Sequence, residues 1–254
     1  MAADHFSSVA PKYAACRPSY PPALVEYLAG IAPGRSLAWD CGTGSGQAAV
    51  LLAAQFDRVV ATDQSEAQLR HAVRHPRIEY RQGPERASGL AHACCDLVVV
   101  AQAAHWFDLP AFYAETDRVL KPRGVLAIWG YALVVVAPEI DAVIDEFTHV
   151  RVGPHWPPGR QLAEDRYRSL PFPYARMEPP AFVMEQRWTA ADFLSFLGTW
   201  SAVDRCRTAE GRDPVAEVAP ALERLWGSGA RLVQWPIHLL VGTKNGAMGQ
   251  WGNE

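Results

Sequence analysis

A carboxylate followed by a glycine-rich turn is the feature of this sequence that points most directly to chemistry. Asp40 precedes the run CGTGSG at residues 41–46. Glycines in such a turn let the backbone approach a bound molecule, because no Cβ stands in the way. Similar turns often hold phosphates at the start of the following helix, but the Asp40 carboxylate would repel a phosphate and attract a cation. The pattern therefore predicts a nucleotide-like ligand that carries a positive charge and no phosphate.

The glycine spacing and a second acid support this interpretation. Gly42, Gly44 and Gly46 follow a Gly-x-Gly-x-Gly spacing, whereas the dinucleotide fingerprint runs Gly-x-Gly-x-x-Gly. Asp63 ends the next predicted strand, where an acid can accept hydrogen bonds from both ribose hydroxyls of an adenosine. S-adenosylmethionine fits this description better than a nicotinamide dinucleotide does. The alternative is a tight turn without a ligand, in which Asp40 serves as a turn or helix cap.

The segments around these residues alternate between strand and helix. Short apolar runs predict strands at residues 36–39, 58–62, 77–81, 96–100 and 125–129, with helical patterns between them. This alternation is typical of an α/β protein with a doubly wound, mostly parallel sheet. Ligands bind at the carboxyl ends of such strands. At those ends lie Asp40, Asp63, residues 83–85 and residues 102–107, so we expect them to converge on one site.

The alternation stops after the fifth strand. Residues 137–180 are rich in proline, arginine and aromatic residues and include an amphipathic stretch, which predicts an inserted lid or substrate subdomain. Strand and helix patterns resume at residue 181, and we expect one of the closing strands to run antiparallel at the sheet edge. The predicted core therefore comprises residues 1–136 and 181–244. We expect residues 245–254 to form a disordered tail.

Composition and charge exclude several classes of function. The chain has 254 residues, 49% of them hydrophobic, and a formal net charge of −3, so we expect an ordinary core and no nucleic-acid partner. No secretory signal pattern and no apolar run of membrane-helix length occurs, which predicts a soluble cytoplasmic protein without a membrane partner. The five cysteines lack Cys-x-x-Cys spacing, and we expect no metal site. The sequence does not indicate an oligomeric state.

With these segments in place, the chain resembles the class I S-adenosylmethionine-dependent methyltransferases. The resemblance is to the type 11 small-molecule branch, which includes trans-aconitate methyltransferase-like proteins, and it covers residues 6–244. The matching segments are RPSYP at 17–21, DCGTGSG at 40–46, Asp63, GPE at 83–85 and QAAHWFD at 102–108. The resemblance implies a Rossmann-like methyltransferase fold with a seven-stranded sheet and the lid after strand five. It also implies S-adenosylmethionine as cofactor, S-adenosylhomocysteine as its product, and a small-molecule methyl acceptor.

The same resemblance implies how the amino acid and ribose parts of the donor are held. The backbone at Gly42, Gly44 and Gly46 would cradle the amino acid end, and Asp40 would lie near its ammonium group. Asp63 would bind the ribose hydroxyls.

For the rest of the donor, the resemblance places Gln64, Pro84 and Glu85 beside the adenine. Similar proteins more often have Ala-Glu after Gly-Asp at this point, so the backbone contact at Pro84 departs from the usual pattern. Gln102 and Ala103 would lie under the methionine portion and the sulfonium.

Three residues before the first strand form a further group in the resemblance. Arg17 would meet the donor carboxylate, and Tyr13 or Tyr20 would close the pocket over the methyl group. The alternative is that residues 17–21 form an aromatic and proline turn packed on the sheet.

His105 is the candidate catalytic residue, since it follows strand four beside the expected methyl position. It would serve as a base only if the acceptor is a phenol, an amine or a carbon acid, because a carboxylate needs no base. The alternative is a histidine that packs for shape between neighbouring aromatic rings.

Acceptor preference stays open at this stage. The predicted lid carries arginines that would suit a polycarboxylate, at Arg151, Arg160, Arg166, Arg168 and Arg176. It also carries aromatic residues that would suit an apolar pocket, among them His155, Trp156, Tyr167, Phe172 and Tyr174. The rival functions are a nicotinamide-dependent oxidoreductase and a non-catalytic protein that binds S-adenosylmethionine.

Overall fold

The computed structural model describes residues 18–131, 133–156, 162 and 165–244, and its core is one mixed sheet. Five strands run parallel in the order β3-β2-β1-β4-β5. Their bounds are Leu37–Cys41 for β1, Arg58–Asp63 for β2, Ile78–Gln82 for β3, Cys95–Ala101 for β4 and Leu120–Tyr131 for β5. The prediction of a doubly wound, mostly parallel α/β sheet is confirmed.

Helices cover both faces of this sheet. The first four are α1 Pro22–Ile31, α2 Gln47–Ala53, α3 Glu66–Arg70 and α4 Leu109–Val119. The later four are α5 Pro138–Glu146, α6 Ala190–Leu197, α7 Ser201–Glu210 and α8 Pro214–Trp226. Helices α1, α2 and α5 to α8 pack on one face, while α4 packs on the other.

The apolar runs of the central strands are explained by burial on both faces. Leu97 and Val99 of β4 contact the core on the α1 side, whereas Val98 and Val100 contact the core on the α4 side. Successive side chains of a strand point to opposite faces, so a strand covered on both sides needs apolar residues at nearly every position. Polar side chains that could bind a ligand are therefore expected at the ends of these strands and not within them.

The sheet closes with an antiparallel part whose arrangement differs from expectation. β8, Arg231–Thr243, runs antiparallel to β5 and lies inside the sheet rather than at its edge. It lies there because two strands cover its outer side, β7 Phe182–Trp188 and the short β6 Ala175–Met177. β6 belongs to the predicted lid and makes eight strands instead of the seven expected.

One predicted strand begins earlier than expected. β5 begins at Leu120 rather than at residue 125, and its first residues form an irregular strand start with Arg123 at φ 63°. After β7, α6 ends at Leu197 and α7 begins at Ser201, and the ring of Trp200 between them packs edge-on to Phe196.

The segment after β5 divides between the two faces of the sheet. Ile140 and Ile144 of α5 pack on the α1 side, and two short turns, Phe147–Arg151 and Gly153–His155, follow. Tyr167, Leu170 and Tyr174 pack instead on the α4 side. A lid role for residues 137–180 stays a prediction. The predicted tail at 245–254 lies outside the described residues.

Candidate functional site

The glycine turn joins β1 to α2, and its amides are held by the protein itself. The amides of Gly42 and Thr43 both donate to the Thr62 carbonyl, at 2.8 and 3.0 Å. The amide of Gly44 donates to Asp63 Oδ2 at 2.8 Å, and that of Gly46 donates to the Thr43 carbonyl at 2.9 Å. A phosphate-binding loop directs such amides at its anion. Because these four amides already have partners, the turn is a poor phosphate site.

Two of the three glycines are required by close packing within the protein. Gly42 has φ 73°, and a Cβ there would lie 2.6 Å from the Ala103 Cβ. Gly46 has φ 86°, and a Cβ there would overlap the Tyr80 hydroxyl. Gly44 differs, since the nearest atom to its Cβ position is Gln68 Oε1 at 4.0 Å. Of the three positions, Gly44 has room for a ligand against its backbone.

Asp40 is fully buried below this turn. Its Oδ2 accepts a hydrogen bond of 2.6 Å from the Thr43 hydroxyl. Oδ1 makes no hydrogen bond to any residue that the structure describes, although the Ala49 amide lies near enough to lower the pKa slightly. Burial raises the pKa of Asp40 to about 7, and the negative charge of Asp63 adds to the rise. A buried carboxylate oxygen without a donor fits the ammonium group of the amino acid end.

Asp63 connects the end of β2 to the glycine turn. Oδ2 accepts from the Gly44 amide at 2.8 Å, and Oδ1 accepts from the Ser65 amide at 2.8 Å. A carboxylate oxygen can accept more than one hydrogen bond, which is the property that ribose binding requires. The Ser65 hydroxyl also accepts from the Gln68 amide and so caps α3. Ribose binding by Asp63 stays a prediction that this geometry permits.

The predicted adenine side comes together at the ends of β2 and β3. The Gly83 amide donates to the Asp63 carbonyl at 3.0 Å, which joins the two strand ends. Gln64 Nε2 donates to Oε2 of the buried Glu85 at 2.9 Å, and the Pro84 carbonyl accepts from the Ala87 amide. The structure therefore brings Gln64, Pro84 and Glu85 together beside Asp63.

Gln102 and Ala103 follow β4 directly and face the glycine turn. Gln102 has φ 55°, and its amide donates to the Trp129 carbonyl of β5 at 2.9 Å. Its side-chain Nε2 donates to the Tyr131 carbonyl at 3.3 Å. A non-glycine residue with positive φ is uncommon and marks a constrained position. The Ala103 Cβ packs under Gly42, so the end of β4 lies against the turn after β1.

His105 lies in a short helical turn, Ala104–Trp106, next to these residues. Its Nδ1 is 3.2 Å from the hydroxyl of Tyr167, which is almost completely buried. Its ring also contacts Trp106, with centroids 4.8 Å apart. His105 is therefore hydrogen-bonded as well as packed for shape.

Further polar groups surround Gly130 at the end of β5. A Cβ at Gly130 would lie 2.7 Å from the Tyr167 ring and 3.0 Å from Gln102 Oε1. His238 of β8 pairs with Gly130, and its buried Nε2 has no hydrogen-bond partner in the described part of the chain. Burial lowers the pKa of His238, and the positive charges of Arg166 and Arg168 lower it further. The arrangement is a second polar region beside the predicted donor site.

The other arginines of the predicted lid lie elsewhere. Arg151 donates to Glu217 at 2.6 Å and forms a longer contact with Glu210. Arg176 lies over the Phe172 ring and pairs with Gly242, toward the opposite end of β8. Arg160 is outside the described residues. Of the described arginines in this set, Arg166 and Arg168 are the two whose charges act on His238.

Of the three residues predicted to act before β1, the structure describes only Tyr20. Tyr13 and Arg17 lie outside the described residues, so their roles stay predictions. Tyr20 is buried and packs edge-to-face on Trp129, with centroids 5.5 Å apart, which agrees with the packed turn.

Three residues of this region were not predicted as site residues from the sequence. Tyr167 entered only as a lining aromatic, and Gly130 and His238 were not predicted at all. A histidine in the otherwise apolar run 235–241 is a signal that could have identified His238. Tyr167 has no such signal, because its position depends on backbone conformation.

A potential metal-binding cluster lies far from these residues in sequence, at His155, Cys206 and Glu210. His155 Nε2 lies 2.8 Å from Glu210 Oε1, and Arg212 binds the other carboxylate oxygen at 2.8 Å. Arg151 also contacts Glu210. Two guanidinium groups at this carboxylate would repel a cation, so the cluster is better described as an ion-pair network.

Comparison with known proteins identifies the relatives of this chain. The family described as a methyltransferase domain matches residues 39–128. A solved structure from Anaeromyxobacter dehalogenans, described as a type II methyltransferase, is 48% identical with a TM-score of 0.84, and the match covers 89% of this chain and 97% of that one. A protein of Dictyostelium discoideum named as a methyltransferase is 29% identical, over 95% of both chains.

A shorter match concerns the cofactor. A Saccharomyces cerevisiae protein named as an S-adenosylmethionine-dependent methyltransferase is 30% identical over 124 residues, which are 45% of this chain and 43% of that protein. In the described residues, none of the helices has the length and apolar character needed to span a membrane.

Proposed function

Because the chain belongs to the class I S-adenosylmethionine-dependent methyltransferases, we propose that its methyl acceptor is a small carboxylic acid bound at the end of β5. The observation that carries this proposal is the region around Gly130. It combines His238, whose buried Nε2 has no partner among the described residues, with the positive charges of the exposed Arg166 and Arg168, which are near enough to lower the pKa of His238. Guanidinium groups bind carboxylates through paired hydrogen bonds.

The chain's residues also fit the donor. Asp40 presents a buried carboxylate oxygen for the ammonium group, Gly44 leaves room at the turn, and the Asp63 carboxylate lies beside that turn, where it is predicted to bind the ribose. When bound, S-adenosylmethionine supplies a methyl group that its sulfonium charge already activates. The residues of the chain then hold donor and acceptor in line and exclude water, which is the main contribution such a reaction requires.

A carboxylate acceptor removes the need for a catalytic base. Its oxygen is already ionised at neutral pH and carries the electron pair that forms the new bond. The residues near Gly130 therefore need only to attract and orient the acid. This proposal agrees with the resemblance to trans-aconitate methyltransferase-like proteins.

The test is turnover of labelled S-adenosylmethionine against matched acceptors. We expect methylation of small di- and tricarboxylic acids and no methylation of their primary amides. We expect R166Q and R168Q each to raise KM for the acid by about 5–50-fold, because each variant loses a charge-assisted hydrogen bond to the acid. The donor Kd should stay unchanged. The exposed Arg187 of β7 provides the control, R187Q. Turnover of phenols or amines with no response to acids would overturn the carboxylic acid assignment.

A further inference from the structure

The side chain of Tyr167 is hydrogen-bonded to the candidate catalytic histidine, His105. The Tyr167 hydroxyl lies 3.2 Å from His105 Nδ1, and the two rings are stacked at 26° with centroids 6.5 Å apart. Tyr167 is only 1% exposed, so water does not compete for this hydroxyl.

The chain holds the Tyr167 ring in place by three means. Arg166 and Tyr167 are consecutive left-handed residues, at φ 63° and 57°, and the Tyr167 amide donates to the Leu162 carbonyl at 2.8 Å. The ring then fills the space where a Cβ at Gly130 would lie. Left-handed backbone is unfavourable for an aromatic residue and persists only where surrounding contacts enforce it. The backbone conformation and the packing therefore hold the Tyr167 side chain in one position, next to His105.

The hydrogen bond determines which nitrogen of His105 carries the proton. If Tyr167 donates to Nδ1, the neutral imidazole carries its hydrogen on Nε2. In the opposite tautomer Nδ1–H would donate to the tyrosine oxygen, and the buried tyrosine O–H would need another acceptor. The described residues offer it none, and an unsatisfied buried donor is costly. Burial, with the charge of Tyr131 adding, raises the pKa of Tyr167 well above its usual range, so the hydroxyl keeps its proton.

We propose that Tyr167 is a positioning residue that holds His105 in the Nε2–H tautomer, so that His105 donates a hydrogen bond to the acceptor carboxylate and does not act as a base. The inference rests on the proposed function for its acceptor. Methylation of a carboxylate forms an oxygen–carbon bond with the oxygen's own electron pair, and the electrons of the broken carbon–sulfur bond remain on sulfur. No proton is removed, so a histidine that donates a hydrogen bond is sufficient.

The tautomer is measured first, on the protein without acceptor. Nitrogen NMR of ¹⁵N-histidine-labelled wild type should show His105 protonated at Nε2 and unprotonated at Nδ1 near pH 8. Y167F should shift these resonances toward a tautomer mixture. Y174F is the matched control, because Tyr174 lies in the same segment and its buried hydroxyl has no partner among the described residues. A wild-type His105 protonated at Nδ1 would overturn the proposal.

Kinetics with a carboxylic acid acceptor then test the role. H105Q keeps an N–H donor without a basic nitrogen and should retain more kcat than H105L. Y167F should lower kcat by ~2–10-fold, as expected for one lost hydrogen bond, without changing the donor Kd. Wild-type kcat should not fall between about pH 9 and pH 6, since a protonated imidazole still donates. Equal losses in H105Q and H105L, with a wild-type rate that falls at low pH, would overturn the role as donor.

The two sets of results separate this inference from the proposed function. If no carboxylic acid is methylated but the NMR shows the Nε2–H form, the acceptor assignment fails and the tautomer stands. If acids are methylated but His105 carries its proton on Nδ1, the acceptor assignment stands and the role of Tyr167 is wrong.

Discussion

The carboxylate of Asp63 accepts a hydrogen bond from the amide of Gly44 at 2.8 Å and so connects the end of β2 to the turn after β1. These are two of the segments in which the sequence predicted donor-binding residues. One group thus holds the turn in place and, by prediction, also binds the ribose. Loss of Asp63 should therefore affect both the donor and the turn.

We expect D63A to weaken S-adenosylmethionine binding by about 1–3 kcal/mol, because ribose hydroxyls would lose a buried acceptor. Isothermal titration calorimetry measures the effect. Asp57 is exposed near the other end of β2, so D57A removes the same charge and should leave Kd unchanged. Equal affinities for D63A and wild type would contradict the ribose assignment.

Donor affinity should increase with pH around neutrality. Burial raises the pKa of Asp40 to about 7, and the protonated carboxyl group does not attract an ammonium group. Binding of a cation favours the ionised form, so binding should release protons below pH 7 and weaken as pH falls from 8 to 6. Calorimetry in buffers of different ionisation enthalpy measures this proton release. D40N should bind weakly with little pH dependence, and a pH-dependent D40N would assign the effect to another group.

The stability of D40N should change in the opposite direction from its binding. The pKa of Asp40 is higher in the folded state than its ordinary value of 3.8, so ionisation destabilises the fold as pH rises from about 4 to 7. D40N lacks this cost, and its free energy of unfolding at pH 8 should exceed that of wild type by ~1–3 kcal/mol. Urea unfolding at pH 8 and pH 4 measures the difference, which should shrink at pH 4. A D40N protein less stable than wild type at pH 8 would argue against a costly buried charge.

Gly42 should tolerate a side chain poorly because of its neighbours as well as its backbone. Gly42 and Gly211 have similar positive φ angles of 73° and 69°, but nothing lies within 4 Å of the Cβ position at Gly211. G211A therefore reports the backbone cost alone, about 1 kcal/mol. G42A should lose ~1–3 kcal/mol more by thermal or urea unfolding, since its Cβ would lie 2.6 Å from the Ala103 Cβ. Equal losses would show that the turn relaxes away from Ala103.

Asp96 should contribute to stability and not to binding, because it lies at the opposite end of the strands from the site. It accepts hydrogen bonds from the amides of Ser36 and Leu37, at 2.9 and 3.1 Å, and from Lys121 Nζ at 2.7 Å. D96A leaves these donors unpaired and should cost about 2–4 kcal/mol of unfolding free energy. D204A, at an exposed position of α7, should cost little. Donor Kd, measured well below the melting temperature, should be unchanged in both variants.

The contribution of Asp96 should also depend on pH. Burial opposes it, but hydrogen bonds from Lys121 and Ser36 lower the pKa of Asp96 below 3.8. A carboxyl group whose pKa is lowered by folding stabilises the folded state at pH values above its pKa in the unfolded chain. This stabilisation is lost as the pH falls through the pKa of the group in the folded protein. The difference between wild type and D96A should therefore narrow below about pH 4.

The sequence by itself predicted the parallel sheet and the meeting of most of the candidate donor residues at one edge of it. Strands buried on both faces must be apolar at almost every position, so β1, β2, β4 and β5 were visible as short apolar runs. The carboxyl ends of parallel strands lie on one edge, and for that reason the residues after them, from Asp40 to Ala103, could be expected to meet. Such inferences need only local pattern and a topological rule.

Only the tertiary structure decided the arrangement of the proposed acceptor region and of the closing strands. Tyr167 reaches His105 across 62 residues of chain, through a left-handed turn that no local pattern requires. His238 joins them because β8 lies inside the sheet beside Gly130, with β6 and β7 paired along different parts of its outer side. Contacts between distant segments are selected by packing of the whole chain, and the sequence of either segment does not contain that information.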